Sequence, residues 1–355
     1  ARFIEFDKDI GMEVLNTRKY PLLISAQVSK AKKIINVPRN DFDEIVSGIE
    51  IGQGDVVWLF HSDRCGSTAW SQIFNALPNW TVISESFTHV YNVICTKTDF
   101  DLKELSDTSR YEEMIVSLIK MHLKLVPKGN NLLFKGTATD VHMIPTIRKR
   151  FPKHKILFGY RDVLPSARSY FQAFAADMEF LVDYCINPWL KKVRYDDVRA
   201  RQSWLLFTNG YDKDQSLAAI RLAMPDPSIM EWYVLSWAGI MIMMNKFQLK
   251  GVPFKSIKYE DLKTQPAELL RRVFEHLGIP TRYTNLALQT LKEDSQTGLF
   301  FDHDKRKHLA VWTRTGSSVS KCNAILDHFH LPDLDSSYFM TNDIMLMVHD
   351  DPDSL

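Results

Sequence analysis

The stretch LFHSDRCGSTAW, residues 59–70, joins an apolar run to small polar residues and one arginine. The run DVVWLF (Asp55–Phe60) predicts a strand, and STAWSQIFNAL (Ser67–Leu77) predicts a helix. A glycine between them lets the backbone approach a ligand closely, and the amides at a helix N-terminus attract anions. The turn therefore predicts a phosphate-binding loop, with a Ser- or Thr-capped helix after a glycine turn as the alternative.

Further short apolar runs alternate with helical patterns along the chain. Strands of a parallel sheet that is buried on both faces have this continuous apolar character, and helices connect them. The sequence therefore predicts an α/β fold, with a central parallel sheet of about five strands and helices on both faces. The strands predicted after the first are WTVIS (Trp80–Ser84), NLLFKG (Asn131–Gly136), HKILFGYRD (His154–Asp162) and VPFKSIKY (Val252–Tyr259).

Three helices have specific support in the sequence. RYEEMIVSLIKMHLKLV (Arg110–Val126) has apolar residues at helical spacing. In PAELLRRVFEHLG, Pro266 suits a first helical turn and Gly278 suits a C-terminal cap. WYVLSWAGIMIMM (Trp232–Met244) is too short to span a bilayer comfortably, which predicts a buried helix and no stable membrane insertion. The predicted apolar stripes are Met114, Leu118, Met121 and Leu125 in the first helix and Leu269, Leu270, Val273, Phe274 and Leu277 in the second.

Composition and charge bound the class of protein. The 355 residues are 45% hydrophobic and carry a formal net charge of +1. That is typical of a globular protein with a large core, and it offers no general field for nucleic acid. We predict one domain over residues 1–355, with two domains as the alternative. The long segment between the fourth and fifth strands is rich in aromatic residues and Met, which predicts a helical insert at about 172–250 and an apolar pocket for a small molecule or lipid.

The cysteines bear on metals and on the compartment. Cys65, Cys95, Cys185 and Cys322 are sparse and have no CxxC spacing. This pattern predicts no zinc site, and no other metal constellation is visible. Sparse cysteines are typical of a reducing compartment, and no signal peptide opens the chain, so we expect a cytoplasmic location. The Golgi lumen is the alternative if an N-terminal anchor has been trimmed.

A second polar turn follows the fourth predicted strand. The sequence YRDVLPSARSYF places Arg161 and Ser169 eight residues apart. Because ligands of open parallel sheets bind at the carboxyl ends of strands, this turn and the first one are expected to share a site. In the first turn, Arg64 supplies charge and Ser67 and Thr68 supply hydroxyl groups. No GxxxxGK[ST] motif is present, which disfavours ATP hydrolysis or kinase chemistry.

These motifs together resemble the sulfotransferases that use 3′-phosphoadenosine 5′-phosphosulfate (PAPS). The 5′-phosphosulfate loop of that family reads basic–Ser–Gly–Thr–Thr or Arg–Ser–Gly–Ser–Thr, and residues 64–68 here read Arg–Cys–Gly–Ser–Thr. The family's 3′-phosphate motif, like R-x-P-x-x-x-x-x-S-Y, is matched by Arg161 and Ser169-Tyr170. Its late segment YEDL…P…L…FEFLG is matched by YEDLKTQPAELLRRVFEHLG at 259–278. The resemblance covers roughly Val56–Pro280.

The resemblance implies a P-loop-like fold and transfer of a sulfuryl group from PAPS to a hydroxyl or amine of an organic acceptor. The product nucleotide would be adenosine 3′,5′-bisphosphate, and no metal is required. Two alternatives stay open: a non-catalytic nucleotide-binding relative, and a carbohydrate or protein sulfotransferase of the Golgi. The residues that the resemblance assigns to donor binding are Arg64, Cys65, Gly66, Ser67, Thr68, Ala69, Arg161, Ser169 and Trp237.

Several of these positions depart from the family pattern. Cys65 replaces the usual Ser and removes a hydroxyl contact, and Val163 stands where a Pro is common. Ala69 stands where cytosolic members carry a Trp against the adenine. Trp237 lies near the place of another adenine-contacting aromatic residue, but core packing is its alternative role.

Sulfuryl transfer needs cations or donors beside the leaving oxygen and a base beside the acceptor. Arg64 fits the first role. In the family, a Lys at the strand end matched by Lys135 approaches the sulfuryl group; a solvated strand-terminal Lys is the alternative. Some members use a Glu after the second strand as base, which points to Glu85, with His89 in reserve.

Family members also cover the 3′-phosphate with a late loop. We expect this function within about 290–325. Three polar stretches are candidates, and the sequence does not choose among them: Asp294–Gly298, His303–His308 and Trp312–Lys321.

Overall fold

The computed structural model of the chain describes residues 2–6, 10–21, 23–49, 54–86, 108–174, 228–297 and 312–346. Its strands are β1 (Arg2–Phe6), β2 (Ala31–Asn36), β3 (Val56–His61), β4 (Trp80–Ser84), β5 (Asn131–Lys135), β6 (Lys155–Tyr160) and β7 (Lys255–Lys258). The last five form one parallel sheet in the order β4-β5-β3-β6-β7. The predicted five-stranded parallel sheet is confirmed, and each strand lies within a few residues of its predicted bounds.

Helices connect and cover these strands. They are α1 (Leu23–Lys30), α2 (Arg39–Ser47), α3 (Ser67–Ala76), α4 (Thr108–Lys124), α5 (Ile144–Arg150), α6 (Val163–Phe174), α7 (Ile229–Leu249), α8 (Tyr259–Thr264), α9 (Pro266–Leu277), α10 (Thr284–Thr290) and α11 (Gly316–His328). Short 3₁₀ turns lie at Gly11–Leu15, Ala138–Met143 and Thr281–Tyr283.

Successive side chains of the sheet face two separate apolar clusters. In β3, Trp58 and Phe60 belong to one cluster, and Val57 and Leu59 belong to the other. Helices α4–α7 and α11 contribute to the first cluster, and α3 with α8–α10 contributes to the second. Helices therefore cover both faces, as predicted for the α/β class. The carboxyl edge of the sheet is left as the place where loops from several strands meet.

The structure corrects the apolar stripe of α4. Ile115, Val116, Ile119 and Leu123 are its buried apolar residues, whereas Leu125 lies beyond the last helical residue and is 46% exposed. Leu118 and Met121 are only partly buried, and the side chain of Met114 lies outside the described residues. The predicted helix is confirmed, but the stripe assigned to it was wrong because two apolar stripes run side by side on this helix.

The caps predicted around α9 are confirmed. Pro266 occupies its first turn, and Gly278 ends it with a left-handed φ of 74°. The next amide, that of Ile279, donates to Phe274 O at 2.8 Å, which satisfies a carbonyl at the helix end. All five apolar residues predicted to face inward are buried.

Helix α7 extends the predicted apolar helix in both directions. Ser228 caps its N-terminus, and Glu231 completes the capping box. Met241 and Met244 are among its fully buried residues, so the helix is a core helix, as predicted. Within the described ranges, no helix has both the length and the apolar character needed to cross a membrane. Most of the predicted insert, residues 175–227, lies outside the description.

Two parts of the β-structure were not predicted. Strands β1 and β2 form a separate antiparallel pair near the N-terminus. Near the C-terminus, Ile344 N donates to Ser256 O at 3.0 Å and Ser256 N donates to Asn342 O at 3.3 Å. Residues 342–344 therefore extend the sheet beyond β7 by a short parallel bridge at Asp343.

Candidate active site at the carboxyl edge of the sheet

The turn after β3 leads into α3 without a side-chain cap. Gly66 is the N-cap residue, and within the described part of the chain no side chain caps the helix there. The alternative of a Ser- or Thr-capped helix is therefore not what forms. Ser67 and Thr68 occupy the first helical turn and are each 7% exposed. The first amides of a helix that lacks a side-chain cap carry partial positive charge and suit an anion.

Tyr259 explains why position 66 must be glycine. A Cβ atom at Gly66 would lie 2.5 Å from Cδ2 of Tyr259, far inside van der Waals contact. The φ of Gly66 is 78°, a conformation that side chains other than hydrogen disfavour. The first residue of α8 thus packs directly against the turn that begins α3.

The same turn has a strained backbone upstream of Gly66. Asp63 and Arg64 have φ values of 58° and 48°, which are uncommon for residues other than glycine. Groups behind the turn fix its carbonyl oxygens. Because a peptide carbonyl and the amide of the same peptide unit point in opposite directions, the amides of Arg64 and Cys65 point away from these partners, as in an anion-binding nest. The fixing bonds are Tyr233 Oη to Ser62 O at 3.0 Å, Ser166 Oγ to Asp63 O at 3.1 Å, and Arg161 Nη1 to Arg64 O at 3.3 Å.

The side chain of Arg64 joins three parts of the chain. Its Nε donates to Ser169 Oγ on α6 at 3.0 Å, and its Nη2 donates to Gln296 Oε1 at 3.3 Å. Arg161 reaches the backbone of the same residue. The two polar turns that the sequence predicted to share a site therefore lie in hydrogen-bond contact.

Arg161 is held from its other side by α8. Its guanidinium lies 4.5 Å from the centroid of the Tyr259 ring, and its Nε lies 3.6 Å from Glu260 Oε1. That Nε is buried and finds no hydrogen-bond acceptor among the described residues. Burial, together with the charge of Asp162, raises the pKa of Glu260. The arrangement leaves an arginine whose hydrogen-bonding capacity is only partly used.

Trp237 and Cys65 are enclosed by protein. Trp237 is 1% exposed, its indole N–H donates to Arg161 O at 3.0 Å, and its ring packs edge-on against Tyr338. This is what core packing predicts, and the adenine contact stays a prediction. Cys65 is 2% exposed, and burial raises the pKa of its thiol to about 12, so it remains a neutral thiol. Ala69 lies on α3 and is partly buried.

Glu85 and Lys135 form an ion pair at the neighbouring strand ends. Lys135 Nζ contacts Glu85 Oε1, and the two side chains are 1% and 19% exposed. Glu85 also has a positive φ of 54°, and its N–H donates to Lys135 O at 2.7 Å. A buried strand-end ammonium is thus held beside a carboxylate that reaches solvent. A solvated Lys, the alternative for Lys135, does not match its burial. The reserve base His89 lies outside the described residues.

The turn after β5 is fixed by two residues that the sequence analysis did not single out. Asp140 accepts from Thr137 N at 2.6 Å, and burial raises the pKa of Asp140 to about 7. His61 is 2% exposed and bonds Gly136 O through Nε2 at 2.8 Å. His61 belongs to the quoted stretch itself; its position as the last residue of a buried strand was the available signal.

Asp63 is a further residue that the sequence analysis overlooked. Its side chain is 40% exposed, and protein atoms cover the rest of its surface. Partial burial raises the pKa of the Asp63 carboxyl, and the charge of Glu85 adds to this; Arg64 and Lys135 oppose it. Two carboxyl groups and two cations therefore lie close together at this part of the edge.

At the other end of the edge, Lys258 is enclosed by the C-terminal segment. Lys258 Nζ lies 2.9 Å from Asp162 Oδ1, 2.6 Å from Ser337 Oγ and 2.9 Å from Tyr338 O. Asp162 in turn accepts from Ser337 Oγ and Tyr338 N, both at 2.9 Å. The polar residue beside Arg161 thus holds the C-terminal segment in place.

Of the three late stretches, the first lies against the turn after β3. Beside the bond from Arg64 to Gln296, Gln72 Nε2 on α3 donates to Ser295 O at 3.0 Å. His303–His308 lies outside the described residues. Trp312–Lys321 runs into α11, whose N-cap Thr315 accepts from Ser318 N. A role of any of them in covering a 3′-phosphate stays a prediction.

Comparison with known proteins adds one distant likeness. No protein-family model matches the chain, and no curated protein sequence matches it. The structure is similar to that of a sulfotransferase from Alicyclobacillus acidocaldarius, at 13% sequence identity and a TM-score of 0.39, over 79% of this chain and 98% of that one. A likeness at that level assigns neither a family nor an activity. Among the described residues, no group of three or more His, Cys, Asp or Glu is arranged to hold a metal ion.

Proposed function

We propose that this protein transfers the sulfuryl group of PAPS to a hydroxyl or amine of an organic acceptor, a small molecule or a lipid. The observation that carries the proposal is the meeting of Arg64, Ser169 and Arg161 beside the uncapped start of α3. These residues come from two motifs about a hundred positions apart in the chain. A donor with phosphate groups at both its 5′ and 3′ positions needs two such anion-binding groups close together.

In this proposal the two groups divide the donor between them. The amides of the turn and the first hydroxyls of α3 hold the 5′-phosphosulfate, with Arg64 as its cation. Arg161 and Ser169 hold the 3′-phosphate. The buried Arg161 Nε, which has no acceptor among the residues described, supports this assignment because a phosphate oxygen would satisfy it.

The reaction then requires three coupled changes. A bond forms between the acceptor oxygen and sulfur, while the bond between sulfur and the bridging oxygen breaks. The electron pair of the broken bond stays on that bridging oxygen, which leaves as part of adenosine 3′,5′-bisphosphate. Glu85 takes the proton of the acceptor hydroxyl. Arg64 and Lys135 stabilise the charge on the leaving side.

The ion pair supports the role assigned to Glu85. The contact with Lys135 fixes the Glu85 carboxylate at the carboxyl edge of the sheet. The 19% exposure of the Glu85 side chain leaves a route for an acceptor to reach it. Lys135 is buried behind it, so its charge acts on the site with little screening by water.

Two other functions fit parts of the same geometry. A non-catalytic nucleotide-binding protein would need the cradle but would have no use for a buried Lys135–Glu85 pair beside it. A nucleotide kinase would need a loop lysine at the phosphates, which the turn lacks. Neither alternative accounts for both the anion-binding turn and the Lys135–Glu85 pair. A Golgi enzyme acting on carbohydrate or protein would use the same donor site and differ in the acceptor.

The experiment is transfer of labelled sulfate from PAPS to a panel of phenols, sterols, amines and sugars. We expect turnover with at least one acceptor class, and thermal stabilisation by adenosine 3′,5′-bisphosphate but not by ATP with magnesium. Glu85→Gln should keep the stabilisation and lose about 10²–10⁴-fold in turnover. Glu275→Gln, a Glu paired with Arg271 on α9, is the matched control and should keep turnover. Near-normal turnover of Glu85→Gln would refute the assigned base, and stabilisation without any transfer would favour the non-catalytic reading.

A further inference from the structure

His61 is a buried ionisable residue to which the reaction outlined above gives no role. It is the last residue of β3, it is 2% exposed, and both of its ring nitrogens have partners. Its Nε2 contacts Gly136 O at 2.8 Å, across to the turn after β5. Its Nδ1 contacts the backbone amide of Asp63 at 3.2 Å, within the turn after β3.

These contacts determine which ring nitrogen carries the proton. The amide of Asp63 can only donate, so Nδ1 must accept and cannot bear a hydrogen. Gly136 O can only accept, so Nε2 must bear the hydrogen. Both bonds exist together only in the neutral Nε2–H tautomer.

The two partners lie next to the groups that matter for chemistry. Gly136 follows Lys135, which pairs with Glu85, and Asp63 precedes Arg64. We propose that His61 is a positioning residue that ties the phosphate-binding turn to the Lys135–Glu85 pair and so fixes the distance between donor and base. This inference rests on the proposed function for its kinetic readout only.

No other side chain of similar size forms both bonds. Gln can place an amide donor near Nε2, and Asn can place a carbonyl acceptor near Nδ1, but neither reaches both positions. If His61 only filled space in the core, neither of its ring nitrogens would be needed for a hydrogen bond. The strained φ of Asp63 shows that the turn after β3 is held in a conformation it would not adopt freely. Glu85, which follows β4 and pairs with Lys135, also has a positive φ.

The surroundings keep the ring neutral. The charged groups that face it are Asp63, whose Oδ1 lies 3.7 Å from Nδ1, and Lys135 on the neighbouring strand. The hydrogen bond to Gly136 O favours protonation of the ring. Burial, together with the Lys135 charge, outweighs it and lowers the pKa of His61 to about 3.

The first test needs no enzymatic activity. Nitrogen-15 NMR of the imidazole in the full chain should show the Nε2–H tautomer, with no titration of the ring between pH 5 and 8. An Nδ1–H tautomer, or titration near pH 6.5, would overturn the proposal whether or not the protein transfers sulfate.

The second test separates the two bonds. His61→Gln keeps a donor for Gly136 O and loses the bond to Asp63. Its affinity for adenosine 3′,5′-bisphosphate should fall about tenfold while kcat changes little. His61→Asn keeps the acceptor for Asp63 and loses the bond to Gly136. Its kcat should fall about tenfold while nucleotide affinity stays within about threefold. His61→Phe should show both losses.

A matched control comes from the opposite end of the sheet. His154 is a partly buried histidine with an indole donor, Trp58 Nε1, at 3.0 Å from its Nδ1. His154→Phe should lower stability but leave nucleotide affinity and kcat unchanged. If His61→Gln and His61→Asn lose affinity and kcat in the same proportion, or lose neither, His61 has only a structural role. If the wild-type chain binds the nucleotide but transfers no sulfate, the affinity loss in His61→Gln and its absence in His61→Asn still decide the proposal, and only the proposed function fails.

Discussion

Lys135 and Lys258 make an instructive pair. Each lies at the carboxyl end of a strand in the same sheet, each is about 1% exposed at its side chain, and each pairs with a carboxylate. The side chains of their partners, Glu85 and Asp162, are also similar in exposure, at 19% and 16%. By residue type, burial and charge the two sites are nearly the same.

They differ in how many N–H donors of the ammonium have an acceptor in the protein. Lys258 Nζ has three oxygen partners, Asp162, Ser337 and Tyr338 O, and lies 3.6 Å from the ring centroid of Phe339. An ammonium has three N–H donors, so all of them are satisfied by the protein. Within the described ranges, Lys135 Nζ has Glu85 as its hydrogen-bond partner, which leaves donors for a ligand.

Burial of a charge therefore does not by itself mark a functional site. What separates the two lysines is the unused capacity of the charged group and the strain of the backbone around it. Glu85 has a positive φ, whereas the segment around Lys258 has ordinary strand and helix geometry. We therefore propose a role in stability for Lys258 and a role in chemistry for Lys135, and three variants test this division.

The largest effect on stability is expected at Lys258. Lys258→Met should lower the free energy of unfolding by about 3–5 kcal/mol, because Asp162 and the C-terminal segment lose a shared buried cation. Urea denaturation measures the change. The double variant Lys258→Met with Asp162→Asn should lose less than the sum of the two single variants. A loss below about 1 kcal/mol in the single variant would contradict the structural role.

At Lys135 the expected loss is in turnover. Lys135→Met should reduce kcat by about 10²–10³-fold, because a cation beside the leaving oxygen is removed. Its free energy of unfolding should fall by less than that of Lys258→Met, since a single carboxylate loses its partner. The comparison fails if both variants lose equal stability and Lys135→Met retains its turnover with labelled PAPS.

The smallest of the three effects is expected at Gly66. Its turn follows β3, which lies between the strands that end in Lys135 and Lys258. Gly66→Ala places a Cβ 2.5 Å from the Tyr259 ring and forces a left-handed φ on alanine. We expect a loss of about 1–2 kcal/mol in unfolding free energy from the backbone alone, together with weaker binding of adenosine 3′,5′-bisphosphate. Gly278→Ala is a useful control, because Gly278 has a similar φ of 74° but only a lysine tip 3.8 Å from its Cβ position. Equal nucleotide affinity in both variants would mean that the turn does not hold the ligand.

The sequence predicted the sheet well because burial on both faces leaves continuous apolar runs such as VVWLF. It did not predict β1 and β2. In β2 the exposed Lys32 and Lys33 precede the apolar residues, so no continuous apolar run marks this pair of strands. It misplaced the stripe of α4 because Leu118 and Ile119 are neighbours of equal apolar character. Only the packing partners decide which of two adjacent stripes faces the core.

The residues of the candidate site were also predicted only in part. Arg64, Arg161 and Ser169 were predicted together because motifs at strand ends of a parallel sheet converge. The partners that fix them could not be predicted, since Tyr233 and Ser166 act on backbone carbonyls from distant helices. The C-terminal segment was missed for a similar reason: Asp343 is fully buried against Tyr160, with 2.6 Å between Oδ2 and the hydroxyl. An acidic residue beside Asn342 gives no sign of such burial.

In the proposed function, the turn after β3 and Arg161 together hold the two phosphate groups of one nucleotide. Calorimetric titration of the wild-type chain with adenosine 3′,5′-bisphosphate and with adenosine 5′-monophosphate measures the contribution of the 3′-phosphate. We predict that the bisphosphate binds at least about tenfold more tightly, because a charge-assisted contact to the 3′-phosphate is added, and that Arg161→Gln removes this preference. Equal affinity for the two nucleotides, or a preference that survives in Arg161→Gln, would contradict the account.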